Sequence, residues 1–227
     1  MNNQFKQIHI ITSLSKGGAE KMLYKILKHN INKSIMVICL SSRGFYSTKL
    51  ENLNIKIVHL NLKSYSFINK LIILLKVLKF RSNSIIGWMY HGNIIALIIY
   101  FCNIIFFNKA NLFWNIRQTL YNIDFEKKGT IFFIKLNKLF SFIPKKIIYN
   151  SKKSIDQHSK LGFYNKNNHY IPNGFVIKNN NQYNDKGLKL DLKISEKDII
   201  ISHINRFHPM KNHKLAFEIT YEVLKKY

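Results

Sequence analysis

Acidic residues are scarce in this sequence. Its 227 residues include 11 Asp and Glu against 36 Lys and Arg, which gives a formal net charge of +25 at pH 7. With so few carboxylates, the close acidic pairs that hydrolyse glycosides are not evident. The positive charge favours polyanionic partners, meaning nucleic acid, anionic lipid headgroups or phosphorylated substrates. The abundance of Lys, Asn and Ile leaves compositional bias open as a second explanation.

Cysteine is nearly absent as well. Cys39 and Cys102 both lie in apolar runs and lack the spacing of metal ligands, which excludes a disulfide scaffold and a zinc module. We predict buried, reduced thiols. The nine histidines are scattered, and no His-x-x-x-His pair with an adjacent Glu occurs, so we expect no metal site.

Long apolar segments and processing signals are also missing. Segment 94–107 is the most apolar, but it contains Asn103 and is shorter than the roughly 18–20 residues that span a bilayer. We predict a buried helix there. Residues 1–7 are polar and the apolar run 8–11 is short, so no secretory signal is expected. The sequence contains no G-x-G-x-x-G, P-loop or G-x-S-x-G motif.

Hydrophobic segments of strand length alternate with segments of helical periodicity. This order is typical of βαβ units, and it predicts an α/β domain with a doubly wound, mostly parallel sheet over residues 1–172. The predicted strands cover residues 5–12, 35–40, 55–60, 84–89, 113–117 and 146–150. The predicted helices cover residues 19–27, 68–78, 94–107, 131–142 and 152–161.

A second domain is predicted from residue 173 to residue 227. Segment 171–174 carries two turn-forming residues, and segment 178–189 is polar and rich in Asn. Segment 198–203 has the pattern of a buried strand, and segment 214–226 that of a helix. Because one strand and one helix cannot form a core alone, we expect an incomplete second α/β domain.

A glycine pair joins the first predicted strand to the first predicted helix. In an open α/β sheet, ligands bind at the carboxyl ends of the strands, where Gly17 and Gly18 would let backbone N–H groups approach a phosphate. An ordinary tight turn explains the pair equally well. Glu20 follows in the first helical turn, either as a ligand-binding residue or because the helix dipole favours an acid there.

The ends of the fourth and fifth predicted strands carry further candidates. His91, which is flanked by Tyr90 and Asn93, could hydrogen-bond a substrate hydroxyl or a phosphate. A lone histidine is more often structural, so that alternative stays open. Arg117 is a candidate anion contact by the same sheet-edge argument.

Two cations follow the predicted strand of the second domain. Arg206 and Lys211 lie five residues apart across a loop that contains Pro209, just before a predicted helix. Two cations and a helix N-terminus can bind a diphosphate. In so basic a chain, their occurrence here by chance is the alternative.

Taken together, these segments resemble the bacterial family-4 glycosyltransferases, which are retaining enzymes with the two-Rossmann-domain GT-B fold. The resemblance covers the family's GGAE loop, the segment after its fourth strand, its crossover between domains and its R-x4-K loop, in the right order across the whole chain. The matching segments are 14–20 (LSKGGAE), 88–93 (WMYHGN), 150–151 with 162–163 and 171–174, and 206–211 (RFHPMK).

The resemblance implies transfer of a sugar from a UDP- or GDP-linked donor to a growing lipid-linked surface glycan, such as capsule or O-antigen, without a metal or other cofactor. His91 would contact the transferred sugar, while Arg206 and Lys211 would neutralise the departing diphosphate. Gly17 and Gly18 would approach the donor diphosphate or the acceptor. The remaining candidate substrate-binding residues are Glu20, Asn93 and Arg117.

The resemblance also implies a cytoplasmic enzyme of polysaccharide biosynthesis, held by its positive charge on the inner face of the bacterial cytoplasmic membrane. Nucleic acid is not the expected partner, because no helix-turn-helix, zinc module or aromatic RNP pattern occurs.

The sequence departs from the family pattern in two places. Asn205 stands where the family has a glycine, and the family's later E-x7-E segment has no counterpart, since Glu218 and Glu222 come too early and at the wrong spacing. We therefore expect a C-terminally truncated form with weak or no donor binding and little turnover. The alternative is a non-catalytic, acceptor-binding subunit that pairs with a separate donor-binding subunit.

Overall fold

The structure is a computed structural model, and it describes residues 4–30, 34–62, 80–105, 109–120, 122–175, 190, 192–195, 198, 200–205, 207 and 211–226. The chain divides into two compact units, Met1–Phe175 and Val176–Tyr227. The predicted helix over residues 68–78 and the candidate residue Arg206 lie outside the described residues.

The first unit is built on one parallel β-sheet. Its described strands are β1 (Gln4–Ile11), β2 (Ile35–Cys39), β3 (Lys56–His59), β4 (Arg81–Trp88), β5 (Asn111–Ile116), β6 (Lys146–Tyr149) and β7 (Asn168–Tyr170). Their order across the sheet is β3-β2-β1-β4-β5-β6-β7, and every pair of neighbours is parallel. This confirms the predicted α/β fold with a doubly wound sheet, and the sheet is parallel throughout.

Helices connect the strands. The first unit contains α1 (Gly18–Lys28), α2 (Phe45–Glu51), α3 (Met89–Ile105), α4 (Lys128–Phe140) and α5 (Lys152–Lys160). A short 3-10 helix, Ile123–Phe125, precedes α4. None of the described helices has the length and apolar character that crossing a membrane requires.

Alternating side chains of the strands form two hydrophobic cores, one on each face of the sheet. On β2, Met36 and Ile38 belong to one core, while Val37 and Cys39 belong to the other. The first core is completed by residues of α3 and α4, and the second by residues of α1 and α2. Since both faces are covered, β2 is apolar on both sides and appears in the sequence as a continuous hydrophobic run.

Three elements differ from the sequence prediction. The short strand β7 and the helix α2 were not predicted, because three residues of strand and two turns of helix are too short to show a period. In contrast, α3 begins directly after β4, at Met89. The segment from Tyr90 to Asn93 is therefore helical, although the sequence suggested a loop there.

The apolar second half of α3 contains one asparagine, Asn103. Asn103 is buried, and its amide nitrogen donates to the carbonyl oxygens of Ile99 (2.9 Å) and Phe80 (3.3 Å). Hydrogen bonds of this kind remove most of the cost of burying an amide.

The second unit, by itself, contains the helix α6 (His213–Leu224) but no strand among its described residues. The strand predicted over 198–203 is wrong for the described residues of that segment, where Ile200 and Ile201 are exposed. A strand needs a hydrogen-bonded neighbour, and the described part of this unit offers none. No residue of α6 is buried either, because a helix buries its apolar side chains only where another element packs against it.

The first unit extends a few residues beyond the boundary predicted at residue 172. Arg117 donates from Nη1 to Asn173 Oδ1 at 2.6 Å, and Lys25 Nζ donates to the carbonyl oxygen of Gly174 at 3.4 Å. Lys25 also lies 5.8 Å from the centre of the Phe175 ring. These contacts hold residues 173–175 against the sheet edge of the first unit.

Candidate functional site

The sheet has one point where its strand order reverses. From β1 the chain moves outward through β2 to β3, and then returns to place β4 on the other side of β1. The loops that follow β1 and β4 therefore leave the sheet in opposite directions and open a crevice at their carboxyl ends. In α/β proteins, ligands bind in such a crevice.

The glycine pair lies on one side of this crevice. Gly17 is the N-cap of α1 and Gly18 is its first residue, and no side chain caps the helix. The first N–H groups of α1 therefore have no side-chain acceptor, and the helix dipole adds a partial positive charge at the same place. Backbone N–H groups in this arrangement suit an anionic ligand.

The Glu20 carboxylate lies against the glycine loop, between Ser13 and Gly17. Its Oε1 accepts a hydrogen bond of 2.7 Å from the Ser13 hydroxyl, and its carboxylate lies so close to Gly17 that an added Cβ would be 2.2 Å from Oε2. The carboxylate thus links the end of β1 to the first turn of α1. This geometry gives Glu20 a loop-stabilising role, and direct ligand binding by Glu20 stays a prediction.

The loop after β2 supports the glycine loop from the other side. The Tyr46 N–H donates to the Leu14 carbonyl oxygen at 2.7 Å. At Gly44, an added Cβ would lie 2.6 Å from the Leu14 carbonyl carbon. The two backbones therefore touch, which fixes the position of the loop that carries Gly17 and Gly18.

The turn between β4 and α3 is the second wall of the crevice. Met89 has a φ of 61°, a left-handed conformation that costs a non-glycine residue free energy and that recurs at functional sites. Gly92 lies in the next turn, and a Cβ there would be 2.6 Å from the Ile10 carbonyl oxygen. Only glycine lets the start of α3 approach the end of β1 this closely.

His91 lies between these two residues, in the first turn of α3. Its ring is half-buried and packs on Phe133 of α4, with 4.1 Å between the ring centres. Burial lowers the pKa of His91 below its ordinary value, so the ring is neutral at pH 7. No described residue hydrogen-bonds either ring nitrogen, which leaves one N–H donor and one acceptor for a ligand.

Asn93 is placed differently from the prediction. It has no exposed surface. Its amide is 2.9 Å from Asn137 Oδ1 of α4, and it is within 3.2 Å of the carbonyl oxygens of Gly87 and Met89. The expectation that Asn93 contacts a substrate is therefore corrected: its side chain holds the left-handed turn and the start of α3 in place.

A second buried contact fixes the same turn. The Tyr90 hydroxyl is 2.9 Å from His158 Nε2, and His158 Nδ1 is 2.7 Å from the Ser154 carbonyl oxygen. Burial lowers the pKa of His158 to about 4, so the neutral ring donates from Nδ1 and accepts the Tyr90 hydroxyl proton at Nε2. Sequence reasoning missed this pair because its members lie 68 residues apart.

Arg117 follows β5 and is the best-defined cation of the crevice. Its Nε donates to Asn115 Oδ1 at 2.7 Å, its Nη1 donates to Asn173 Oδ1 at 2.6 Å, and its guanidinium carbon is 5.6 Å from the centre of a Trp88 ring. The Arg117 N–H also donates to the Met89 sulfur at 3.3 Å. Neutral groups thus hold the side chain in place and leave further N–H donors without a partner among the described residues.

The charge of Arg117 is not neutralised within the described residues, where the ion pairs are Arg43–Glu51, Lys214–Glu218 and Glu222–Lys225. Partial burial lowers the pKa of Arg117, but a guanidinium remains protonated at neutral pH. A fixed, partly buried cation without a carboxylate is suited to binding an anion.

The two cations predicted in the second domain are described only in part. Lys211 is exposed and immediately precedes Asn212, the N-cap of α6, whose side chain accepts from the Leu215 N–H at 3.4 Å. Arg206 lies outside the described residues. A joint diphosphate site at Arg206 and Lys211 therefore stays a prediction. Within the described residues, no group of three or more His, Cys, Asp or Glu side chains could hold a metal ion.

Comparison with known proteins identifies solved structures of similar fold. No protein-family model and no curated protein sequence matches the chain. Crystal structures of Anabaena HepE do match: the complex with UDP and glucose has a TM-score of 0.71 at 17% identity, and the complex with UDP-glucose has a TM-score of 0.68 at 17% identity. The complex with UDP has a TM-score of 0.71 at 16% identity.

The alignments cover 94% of this chain but only 56–57% of HepE. The chain therefore spans little more than half the length of the solved structures it matches. At this identity the likeness defines the class of fold, a Rossmann-like α/β fold shared with a protein that binds UDP and UDP-glucose.

Proposed function

We propose that this chain is part of a GT-B-like glycosyltransferase that uses a nucleotide-diphosphate sugar, UDP- or GDP-linked, as its donor. The observation that carries the proposal is that the uncapped N-terminus of α1, the neutral His91 and the unneutralised Arg117 follow three adjacent parallel strands, β1, β4 and β5, at the edge of the sheet where ligands bind. HepE, whose fold is similar, binds UDP-glucose, which supports a nucleotide sugar as the ligand.

The chemistry of sugar transfer matches these groups. Negative charge builds on the diphosphate as it leaves, and fixed cations and N–H donors stabilise that charge without reorganisation. By the resemblance seen in the sequence, we assign this role to Arg206 and Lys211. Separately, within the first unit, the first turn of α1 and Arg117 suit a phosphate group of a substrate. A neutral His91 can hydrogen-bond a sugar hydroxyl while it exchanges neither charge nor proton.

The finer parts of the proposal extend the resemblance seen in the sequence. They are retention of configuration, membership of family 4, a lipid-linked acceptor in polysaccharide biosynthesis, and transfer without a metal. They apply to the whole protein, since the chain spans just over half of HepE. An acceptor-binding subunit that works with a separate donor-binding partner is the second candidate.

Ligand binding can be tested on the chain as it is. Although donor binding is expected to be weak, we expect UDP, UDP-glucose or GDP-mannose at millimolar concentration to shift the amide resonances of Gly17 and Gly18 in a ¹⁵N-labelled sample. Hydrogen bonds to charged groups contribute about 1.5–3 kcal/mol, so Arg117→Gln should weaken this binding by about tenfold or more. Arg43→Gln is the matched control, because Arg43 is exposed and paired with Glu51.

The outcome separates the candidates. Release of UDP or GDP in the presence of EDTA and a glycan acceptor would support metal-free transfer. Shifts produced by a phosphorylated acceptor alone would favour the acceptor-binding subunit. If no nucleotide, nucleotide sugar or phosphorylated acceptor shifts these resonances at millimolar concentration, the proposal is wrong.

A further inference from the structure

The outer face of α4 departs from the usual pattern of a surface helix. Residues at i, i+4, i+7, i+11 and i+14 lie along one stripe of a helix, and here they are Lys128, Phe132, Lys135, Leu139 and, just after the helix, Phe142. Phe132 is 59% exposed, Leu139 61% and Phe142 60%. A solvated helix face should be polar, whereas this stripe alternates lysines with large apolar side chains.

The neighbouring helix continues the apolar surface. α3 packs against α4, and its outer face carries Ile98, Phe101 and Ile105 at i, i+3 and i+7. All three are exposed, and Ile105 is 67% exposed. We call these six apolar residues of α3 and α4, together with Lys128 and Lys135, the α3–α4 face. Exposed apolar residues on two packed helices mark an interaction surface rather than isolated surface side chains.

The charge around this face has one sign. α3 contains no Asp, Glu, Lys or Arg, and α4 contains no Asp or Glu. Four exposed lysines lie on α4 or at its N-cap, namely Lys127, Lys128, Lys135 and Lys138. The positive charge therefore lies on the same helix as Phe132 and Leu139.

We propose that the α3–α4 face docks on an anionic lipid bilayer. A helix that lies in the membrane interface presents apolar side chains to the acyl region and lysines to the headgroups, and long lysine side chains reach outward to keep their charge in water. A protein partner would have to be both apolar and strongly acidic to match this face. A bilayer of anionic lipids supplies that combination over any area.

The proposal goes beyond sugar transfer and does not rest on it. Docking needs neither a donor nor the second unit, because every residue of the α3–α4 face lies in the first unit. Vesicle binding can therefore be measured without any nucleotide, and its failure would leave the proposed transferase function untouched.

Binding of the full 227-residue chain to vesicles tests the proposal. We expect co-sedimentation with vesicles of phosphatidylcholine containing phosphatidylglycerol, and little with phosphatidylcholine alone. Each lysine near an anionic surface strengthens binding roughly fivefold, so Lys128→Gln/Lys135→Gln should bind about thirtyfold more weakly. The matched control is Lys21→Gln/Lys28→Gln, which removes the same charge from two exposed positions of α1.

A second measurement reports on insertion at one position. Trp88 and Trp114 are buried, so the indole introduced by Phe132→Trp would be the one exposed to lipid, and we expect brominated lipid to quench it. Phe217→Trp, at an exposed position of α6, should not be quenched. Phe132→Ser/Leu139→Ser should reduce binding at least tenfold.

Three results would overturn the proposal. The first is equal vesicle binding by the face variants and the α1 control, which would mean that net charge alone drives adsorption. The second is absence of binding to anionic vesicles. The third is self-association that Phe132→Ser/Leu139→Ser abolishes without any effect on vesicle binding, which would identify a second copy as the occupant.

Discussion

Replacing Gly92 by alanine tests how the turn after β4 is held against β1. A Cβ at this position would lie 2.6 Å from the Ile10 carbonyl oxygen and 3.3 Å from the Ile10 carbonyl carbon. Ordinary van der Waals contact begins at 3.4 Å, so the start of α3 must move away from β1 by about 0.8 Å. Both neighbours are backbone atoms of a central strand, which cannot rotate aside as a flexible side chain would.

The expected cost follows from overpacking. Adding a methyl group to a well-packed interior destabilises a protein by about 1–3 kcal/mol. Alanine in place of glycine inside a helix offsets part of this cost, because it stabilises the helix by up to about 1 kcal/mol. We expect Gly92→Ala to lower the free energy of unfolding by about 1–2 kcal/mol. With a urea m-value of about 1–3 kcal/mol/M, the midpoint of urea unfolding should fall by about 0.3–2 M.

Gly129→Ala is the matched control. Gly129 also lies in the first turn of a helix, but a Cβ there meets no atom within 4 Å, so alanine should stabilise it slightly. Unfolding can be followed by the fluorescence of Trp88 and Trp114, both buried in the first unit. If Gly92→Ala unfolds at the same urea concentration as the wild type or as Gly129→Ala, the close contact between α3 and β1 is not as described.

Three further predictions concern titratable groups. The pKa of His158 is about 4 in the folded state against 6.5 in the unfolded state. Its contribution of about 3 kcal/mol to the free energy of unfolding is therefore complete above pH 6.5 and is lost as the pH falls toward 4. His158→Gln should flatten the pH dependence of urea unfolding in that range, and an unchanged dependence would contradict this. The pKa of His91, measured by NMR, should lie below the ordinary value and rise in Phe133→Ala, which exposes the ring; no rise would show that Phe133 does not cause the burial. Burial raises the pKa of the Cys39 thiol, whereas Cys102 is half-buried, so iodoacetamide should label Cys102 first, and equal rates would refute the difference in burial.

The elements that the sequence located are those with long, regular hydrophobic patterns. β2 is a continuous apolar run because both of its faces are buried, and the second halves of β1 and β4 are mostly apolar for the same reason. Such runs are visible without tertiary information. The strand expected over 198–203 shows the limit of this reasoning. Its apolar residues are of the right type, yet strand structure depends on a neighbour that the pattern cannot supply.

The candidate site likewise contains residues whose position could be inferred from the sequence and one whose role could not. Gly17, Gly18, His91 and Arg117 could be selected from the sequence, because each follows a recognisable strand and the carboxyl ends of parallel strands share one edge. Asn93 satisfied the same rule, but it is buried. Position along the chain determines which edge a residue is near, whereas the direction of its side chain depends on the neighbouring helix.

Contacts between distant residues were beyond sequence reasoning. Asn173, which fixes Arg117 across 56 residues, carried only a turn signal. Asn137 of α4 showed no signal at all, although it holds Asn93 and the Tyr90 carbonyl oxygen. No local pattern encodes such pairs, because each member is compatible with many partners until the chain is folded.

The sequence by itself determined the alternation of strands and helices, the large excess of positive charge, and the glycine and histidine that follow β1 and β4. These features depend on composition and on local periodicity, which a single chain displays directly. The tertiary structure decided the strand order, and with it the crevice between β1 and β4. It also decided that Arg117 is held by neutral partners and that the apolar stripe of α4 faces outward. The physical reason is that burial and pairing are properties of surfaces brought together from distant parts of the chain.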